Sequence, residues 1–169
     1  NKGIAMVPED RKDQGLVVMN SVGFNMTLPE LKNLMGNKLI VREKKRKDLI
    51  DKYVTDLNIK TASSDIEVSS LSGGNQQKVV IAKWLATQPK LLILDEPTRG
   101  VDVGAKSEIY SIINELANEG LAIILVSSDL PEIINMCDSV CVMRNGKLTA
   151  QLDQSELTQE NIMRYATGG

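Results

Sequence analysis

The chain has 169 residues, 42% of them hydrophobic and 25% charged, with a formal net charge of −2. That length suffices for one domain with a sizeable core, and the near-neutral balance lacks the basic face of a nucleic-acid binder. No apolar run approaches the roughly 20 residues of a membrane span, no signal or transit peptide opens the chain, and the lack of histidine excludes imidazole chemistry, so the chain reads as soluble.

Ile4–Val7 reads as a strand stopped by Pro8, and an opening in mid-element suggests a piece excised from a longer protein. From Ser21 to about Ile59 the pattern is helical, with Leu49, Ile50, Tyr53, Val54 and Leu57 recurring at three and four. The basic run from Arg42 to Asp48 has the charge to touch lipid headgroups or a partner, and a solvated helix face is its commoner explanation. Ser72-Gly73-Gly74 then punctuates the chain, and the pattern predicts a helix over Asn75–Thr87, stopped before Pro89. Leu91–Leu94 and Leu121–Val126 are short apolar runs of the kind buried on both faces of a parallel sheet. Between them Val103–Glu119 reads as a helix closed by Gly120, which makes a strand–helix–strand crossover. Val140–Arg144 and Lys147–Leu152 flank Asn145-Gly146, a strong hairpin signal. A last helix is expected over Ser155–Tyr165. Cys137 and Cys141 are expected as buried, reduced thiols, and Trp84 and Met143 as core residues.

Two stretches carry chemistry. In Leu91-Leu92-Ile93-Leu94-Asp95-Glu96 an apolar strand ends in two carboxylates at the edge where α/β ligand sites form. Asp95 suits a Mg²⁺ ion, directly or through water, and Glu96 suits a base aimed at water beside a γ-phosphate. By itself this is also an ordinary strand followed by an acidic turn. In Leu71-Ser72-Gly73-Gly74-Asn75-Gln76-Gln77 two glycines let backbone amides approach an anion, with a helix N-terminus behind them. By itself this is also a serine N-cap after a flexible turn.

Together, in this order, the motifs resemble the ATP-binding-cassette (ABC) ATPases over essentially the whole chain. Leu71–Gln77 looks like the signature motif, Leu91–Asp95 like a Walker B strand, and Glu96 falls at the catalytic glutamate. Pro97–Asp102 resembles the D-loop region, and the likeness runs on through Val126-Ser127-Ser128-Asp129. The segments Val7–Lys12, Asn75–Lys78 and Thr98–Lys106 are similar to the second cassette of bacterial simple-sugar import subunits, which carry two cassettes in one polypeptide and serve ribose, xylose and galactose.

The resemblance implies an α/β, RecA-like P-loop NTPase core, incomplete at its N-terminal side, over about 1–19 and 89–169, with an inserted helical signature subdomain over about 20–88. It implies ATP and Mg²⁺ as ligands, with Ser72, Gly73, Gly74, Asn75, Gln76, Glu9 and Asp102 contacting nucleotide, Asp95 the metal, and Glu96 with Ser128 the chemistry. Implied partners are a second cassette, transmembrane sugar permeases and, indirectly, an extracytoplasmic sugar-binding protein, at the cytoplasmic face of the membrane.

Three departures from the family pattern stand out. No Gly-x-x-x-x-Gly-Lys-Ser/Thr occurs in the 169 residues, Glu9 occupies the expected Q-loop glutamine, and Ser128 the switch histidine. The last two occur in second cassettes of the sugar-import group. An ABC ATPase of chromosome maintenance or translation, and a non-catalytic cassette that gates its partner, are the other readings the residues allow.

Overall fold

The computed structural model describes residues 3–35 and 40–168. The chain divides into two compact units, Asn1–Ile124 and Leu125–Gly169.

The first unit begins with β1 (Ile4–Val7), which pairs in parallel with β2 (Leu91–Asp95), Ile4 opposite Leu91 and Val7 opposite Leu94. A third strand, β3 (Ala122–Val126), completes the order β1-β2-β3, reached from β2 through α5 (Val103–Asn118). Gly120, at φ 91°, makes the sharp exit from that helix. The helix α4 (Gly73–Leu85) packs on β1 and against α5, burying Val79, Val80, Ile81 and Ala82. This sheet was expected to be buried on both faces. It buries Ala5, Val7, Leu92 and Leu94, whereas Ile4, Met6 and Ile124 are about half exposed. Alternation decides this: successive residues of a strand point to opposite faces, and α4 covers only one of them.

The stretch expected to be helical from Ser21 to Ile59 is broken. Ser21 caps α1 (Val22–Thr27), a 3-10 turn holding Pro29 follows, and α2 (Leu31–Leu34) ends with Met35 bridged to Val41. Residues 36–39 of the expected run lie outside the described residues. The segment resumes as α3 (Glu43–Asp56), with the basic run on its exposed side and Ile50 and Tyr53 inward. Tyr53 donates its hydroxyl to the Leu85 carbonyl at 2.8 Å, tying α3 to the end of α4. Buried Asn25 accepts from Val17 N–H at 2.7 Å and donates to the carbonyls of Val17 and Ser21, which holds the approach to α1 without regular structure.

The second unit holds α6 (Leu130–Met136), the antiparallel hairpin β4 (Ser139–Arg144) and β5 (Lys147–Asp153), and α7 (Gln159–Thr167). Asn145 and Gly146 both have positive φ, the primed turn that the dipeptide favours. The final helix starts later than Ser155, because residues 154–156 form a separate 3-10 turn with its own Asp153–Glu156 capping box. Ile133, Val142, Leu152, Leu157 and Ile162 form the core of this unit.

Two expectations fail here. Met143 is exposed, not core, and Cys141 is exposed, not buried. Val142 faces inward, so its neighbours at 141 and 143 face out. A register shift after Val142 then pairs Met143 with Leu148, equally exposed, while the Thr149 hydroxyl donates to the Val142 carbonyl. Trp84 is only partly buried, its indole N–H sealed without a partner. Cys137 is half-buried, and desolvation, reinforced by Glu132 and Asp138, raises its thiol pKa. A maleimide at neutral pH should therefore label Cys141 well before Cys137. Mass spectrometry of a labelling time course checks this, and equal rates would contradict the assignment.

Candidate functional site

The signature stretch builds one end of α4. Ser72 is its exposed N-cap, in extended backbone, and its Oγ accepts from the Asn75 backbone N–H at 3.5 Å and from Asn75 Nδ2 at 3.0 Å. The helix begins at Gly73 rather than Asn75, so both glycines lie in its first turn. First-turn N–H groups lack intrahelical acceptors and carry the positive end of the dipole. The Ser72 cap takes up the Asn75 N–H and fixes the turn in which the Gly73 and Gly74 amides lie.

Around that turn the remaining side chains act as braces. Asn75 Oδ1 accepts from the Lys60 backbone N–H at 2.8 Å. Gln76 is buried and donates to the Leu71 carbonyl at 3.0 Å, so its side chain supports the loop from within. Gly74 is buried against α5, where an added Cβ would come 2.4 Å from Ala105 Cβ.

The second group stands at the end of β2. Asp95 and Glu96 are half-buried, and Glu96 sits at φ 45°, a left-handed conformation uncommon for a residue with a side chain. Such strain persists where the surroundings impose it. A run of turns, Arg99 N–H to Glu96 carbonyl at 3.1 Å and Val101 N–H to Thr98 carbonyl at 3.2 Å, leads to Asp102. Exposed Asp102 caps α5 by accepting from Ala105 N–H at 2.9 Å. Exposed Glu9, just after β1, pairs with Arg99. Ser128 is exposed and belongs to the second unit, next to Asp129, the cap of α6.

With this geometry in view, a family model described as ABC transporter matches residues 1–99. The chain belongs to the ABC transporter family. Its fold agrees: cbiO1 of Clostridium perfringens, part of the ABC transporter complex cbiONQ, superposes with a TM-score of 0.76 at 28% identity, covering 96% of this chain and 62% of that one. A dimeric ATP-binding cassette bound to ADP and Pi superposes at TM-score 0.75 and 20% identity, covering 89% and 62%. In sequence the ABC chain is 57% identical over 167 residues to the ribose import ATP-binding protein RbsA of Geobacillus kaustophilus, covering 99% of this chain and 34% of that protein. It is 53% identical to a putative ribose/galactose/methyl galactoside import ATP-binding protein of Rhizobium etli, covering 99% and 32%. The chain therefore spans about a third of the length of these relatives.

The donor set suits nucleotide-borne Mg²⁺. Among the described residues no group of three or more His, Cys, Asp or Glu side chains is placed to cage a metal. Mg²⁺ is typically held by one or two carboxylates with phosphates and water, and Asp95 at a strand end is such a carboxylate. No helix is long and apolar enough to cross a membrane among the described residues.

Two features of this ABC chain escaped the sequence reading. Lys78 is 1% exposed, and its Nζ donates to Glu108 of α5 at 2.6 Å and to the Asn58 carbonyl at 3.0 Å, with Lys60 on the other Glu108 oxygen at 3.2 Å. The signal was a lysine followed at once by Val79-Val80-Ile81. The other is Arg11, whose guanidinium donates to the Arg99 and Gly100 carbonyls.

The hydrogen bonds from Lys78 and then Lys60 hold the Glu108 carboxyl below its ordinary value of 4.5. A depressed carboxylate contributes stability that is full above the unfolded pKa and is lost as pH falls through the folded one. Glu108→Ala should thus cost about 2 kcal/mol at pH 7, less than a fully buried broken pair because Glu108 faces solvent on one side. The deficit should shrink below about pH 4.5. Urea unfolding at several pH values measures both, and a pH-independent deficit would contradict the ion-pair account.

Proposed function

We propose that this chain is the signature-, Walker-B- and D-loop-bearing part of a second cassette in an ABC sugar-import subunit. The observation that carries the reading is the Ser72-capped first turn of α4, two glycines presenting amides at a helix N-terminus, in a chain whose relatives bear ribose-import names. In this reading Ser72, Gly73, Gly74 and Asn75 bind the phosphates of a nucleotide seated on a partner cassette. Backbone amides and the helix dipole stabilise that negative charge. Asp95 holds Mg²⁺, which supplies charge neutralisation at the phosphates when bound. Glu96 orients or deprotonates the attacking water, and Glu9, Asp102 and Ser128 border the same ligands. A core of about 1–19 and 89–169 carries a helical subdomain of about 20–88, and closure of two cassettes acts on membrane-embedded permeases at the cytoplasmic face, served outside by a sugar-binding protein.

Two consequences are measurable. The 169 residues contain no Gly-x-x-x-x-Gly-Lys-Ser/Thr, so the chain alone should turn over no ATP with Mg²⁺. Turnover at an ordinary family rate would sink the assignment. In the complete subunit, Ser128 offers a hydroxyl where an imidazolium is expected, and a lost charge-assisted contact costs roughly a hundredfold in rate. Glu96→Gln should then lower steady-state ATPase much less than the equivalent change in the other cassette. Equal losses in single-turnover assays would give Ser128 the full role of the histidine.

A further inference from the structure

Arg11 follows Asp10, whose Oδ1 accepts the N–H groups of Lys12 and Asp13 at 2.9 and 3.0 Å and so fixes the turn Arg11–Gly15. From that anchored base the Arg11 guanidinium reaches 88 and 89 residues along the chain. Nη1 donates to the Arg99 carbonyl at 2.8 Å and Nη2 to the Gly100 carbonyl at 3.1 Å. Its Nε is sealed from solvent without an acceptor, so the guanidinium is partly desolvated where it makes those two bonds. Gly100 sits at φ 65°, and the Cβ position of Gly73 lies 2.9 Å from Arg11 Nη2 and 3.3 Å from the Gly100 carbonyl. One side chain thus touches the segment after β1, the loop from Glu96 to Asp102, and the first turn of α4.

Packing holds only part of this loop: Pro97, Thr98 and Val101 are buried, Val101 beside Gly74, whereas Arg99 and Gly100 are exposed. A cleft of about 360 Å³ lined by Glu9, Asp10, Arg11, Lys12 and Arg99 opens beside the contact. The nearby Glu9–Arg99 pair is exposed on both sides, and such pairs hold little. A planar fork spanning two adjacent carbonyls fixes a loop in a way that a single ammonium cannot.

We propose that Arg11 is a positioning residue, clamping the Glu96–Asp102 loop against the first turn of α4 so that the base candidate and the signature amides keep one geometry. The consequence for turnover rests on the ATPase reading above; the clamp itself does not. Small misplacements of reacting groups cost as much as a hundredfold in rate.

The test uses the complete subunit with its membrane partners, as wild type, Arg11→Met and Arg11→Lys. Hydrogen exchange by mass spectrometry should show peptides covering 96–102 and 72–76 exchanging about tenfold faster in both variants, with β2 unchanged. Under MgATP, kcat should fall about tenfold or more while KM for ATP stays within about twofold, and Lys should not rescue. Unchanged exchange overturns the clamp. Faster exchange with wild-type kcat overturns the positioning role, as does full rescue by Lys. A wild-type subunit that hydrolyses no ATP yet responds in exchange refutes the ATPase reading and leaves the clamp standing.

Discussion

Gly73→Asp in the complete subunit should abolish ATP-driven sugar uptake while leaving the protein folded. The separation of these effects follows from position. An acidic residue in the first turn of a helix is favoured by the dipole, by about 0.3–1 kcal/mol. The nearest heavy atoms to its Cβ are Arg11 Nη2 at 2.9 Å and the Gly100 carbonyl at 3.3 Å, so the fold accommodates the change by a shift of the Arg11 guanidinium at the expense of its clamp. Function does not have that freedom. The new carboxylate enters the turn whose amides are proposed to receive phosphate, and like charges about 4 Å apart near a protein surface oppose each other by about 4 kcal/mol. That is nearly three decades in an equilibrium or a rate. The carboxylate also competes with the Gly100 carbonyl for Arg11, loosening the loop after Glu96. Gly73→Ala, with bulk but no charge, should lie between the two. Uptake by vesicles and thermal unfolding of the same preparations decide the matter. Normal uptake by Gly73→Asp would remove the signature role, and a large fall in unfolding temperature would turn the loss into a folding defect.

Strands and the hairpin were the most legible parts of this fold. Ile4–Val7 and Asn145-Gly146 stand where the pattern places them, because each depends on local rules: an apolar run before proline, and a dipeptide tolerant of positive φ. What failed depends on what lies across from a residue. Met143 and Cys141 look like core until Val142 takes the inward position and the register shift turns the next pair outward. Similarly, nothing in Ile4, Met6 or Ile124 says that only one sheet face is covered. The helical pattern of 21–59 hides its breaks, since Pro29 is tolerated in the first turn of a short helix as well as between helices.

The candidate site was legible as motifs and illegible as mechanics. Ser72, Gly73, Asp95 and Glu96 could be named because their chemistry is in their own atoms. Gln76 bonds inward to Leu71, and Asp102 caps α5. Arg11 and Lys78 were quoted within motifs with no role, because their partners lie 88 and 30 residues away. A side chain whose purpose is to join distant segments leaves no periodic trace. A lone lysine or arginine within an otherwise apolar or tightly turned stretch is the only hint available.

The largest stability effect is expected at Gly74, where two rules of opposite sign compete. Replacing glycine by alanine within a helix ordinarily stabilises by up to about 1 kcal/mol. Here the added Cβ would stand 2.4 Å from Ala105 Cβ, with Val101 Cγ1 at 3.7 Å. Ala105 cannot swing aside, since its Cβ is fixed to the first turn of α5, pinned by the Asp102 cap. The two helices must separate instead, straining the Lys78–Glu108 bond that joins them farther along. Overpacking against a tightly packed backbone costs about 1–3 kcal/mol, so Gly74→Ala should destabilise by about 1–2 kcal/mol net, and Gly74→Leu by more than 3 kcal/mol. The contact also predicts its own repair. Ala105→Gly removes the opposing methyl, and Gly74→Ala with Ala105→Gly should recover most of the loss, giving a coupling of about 1 kcal/mol or more in a double-mutant cycle. Urea unfolding of the four proteins measures it. Additive effects, or a Gly74→Ala protein more stable than wild type, would mean that helix propensity outweighs the helix contact and that α4 and α5 have room to spare.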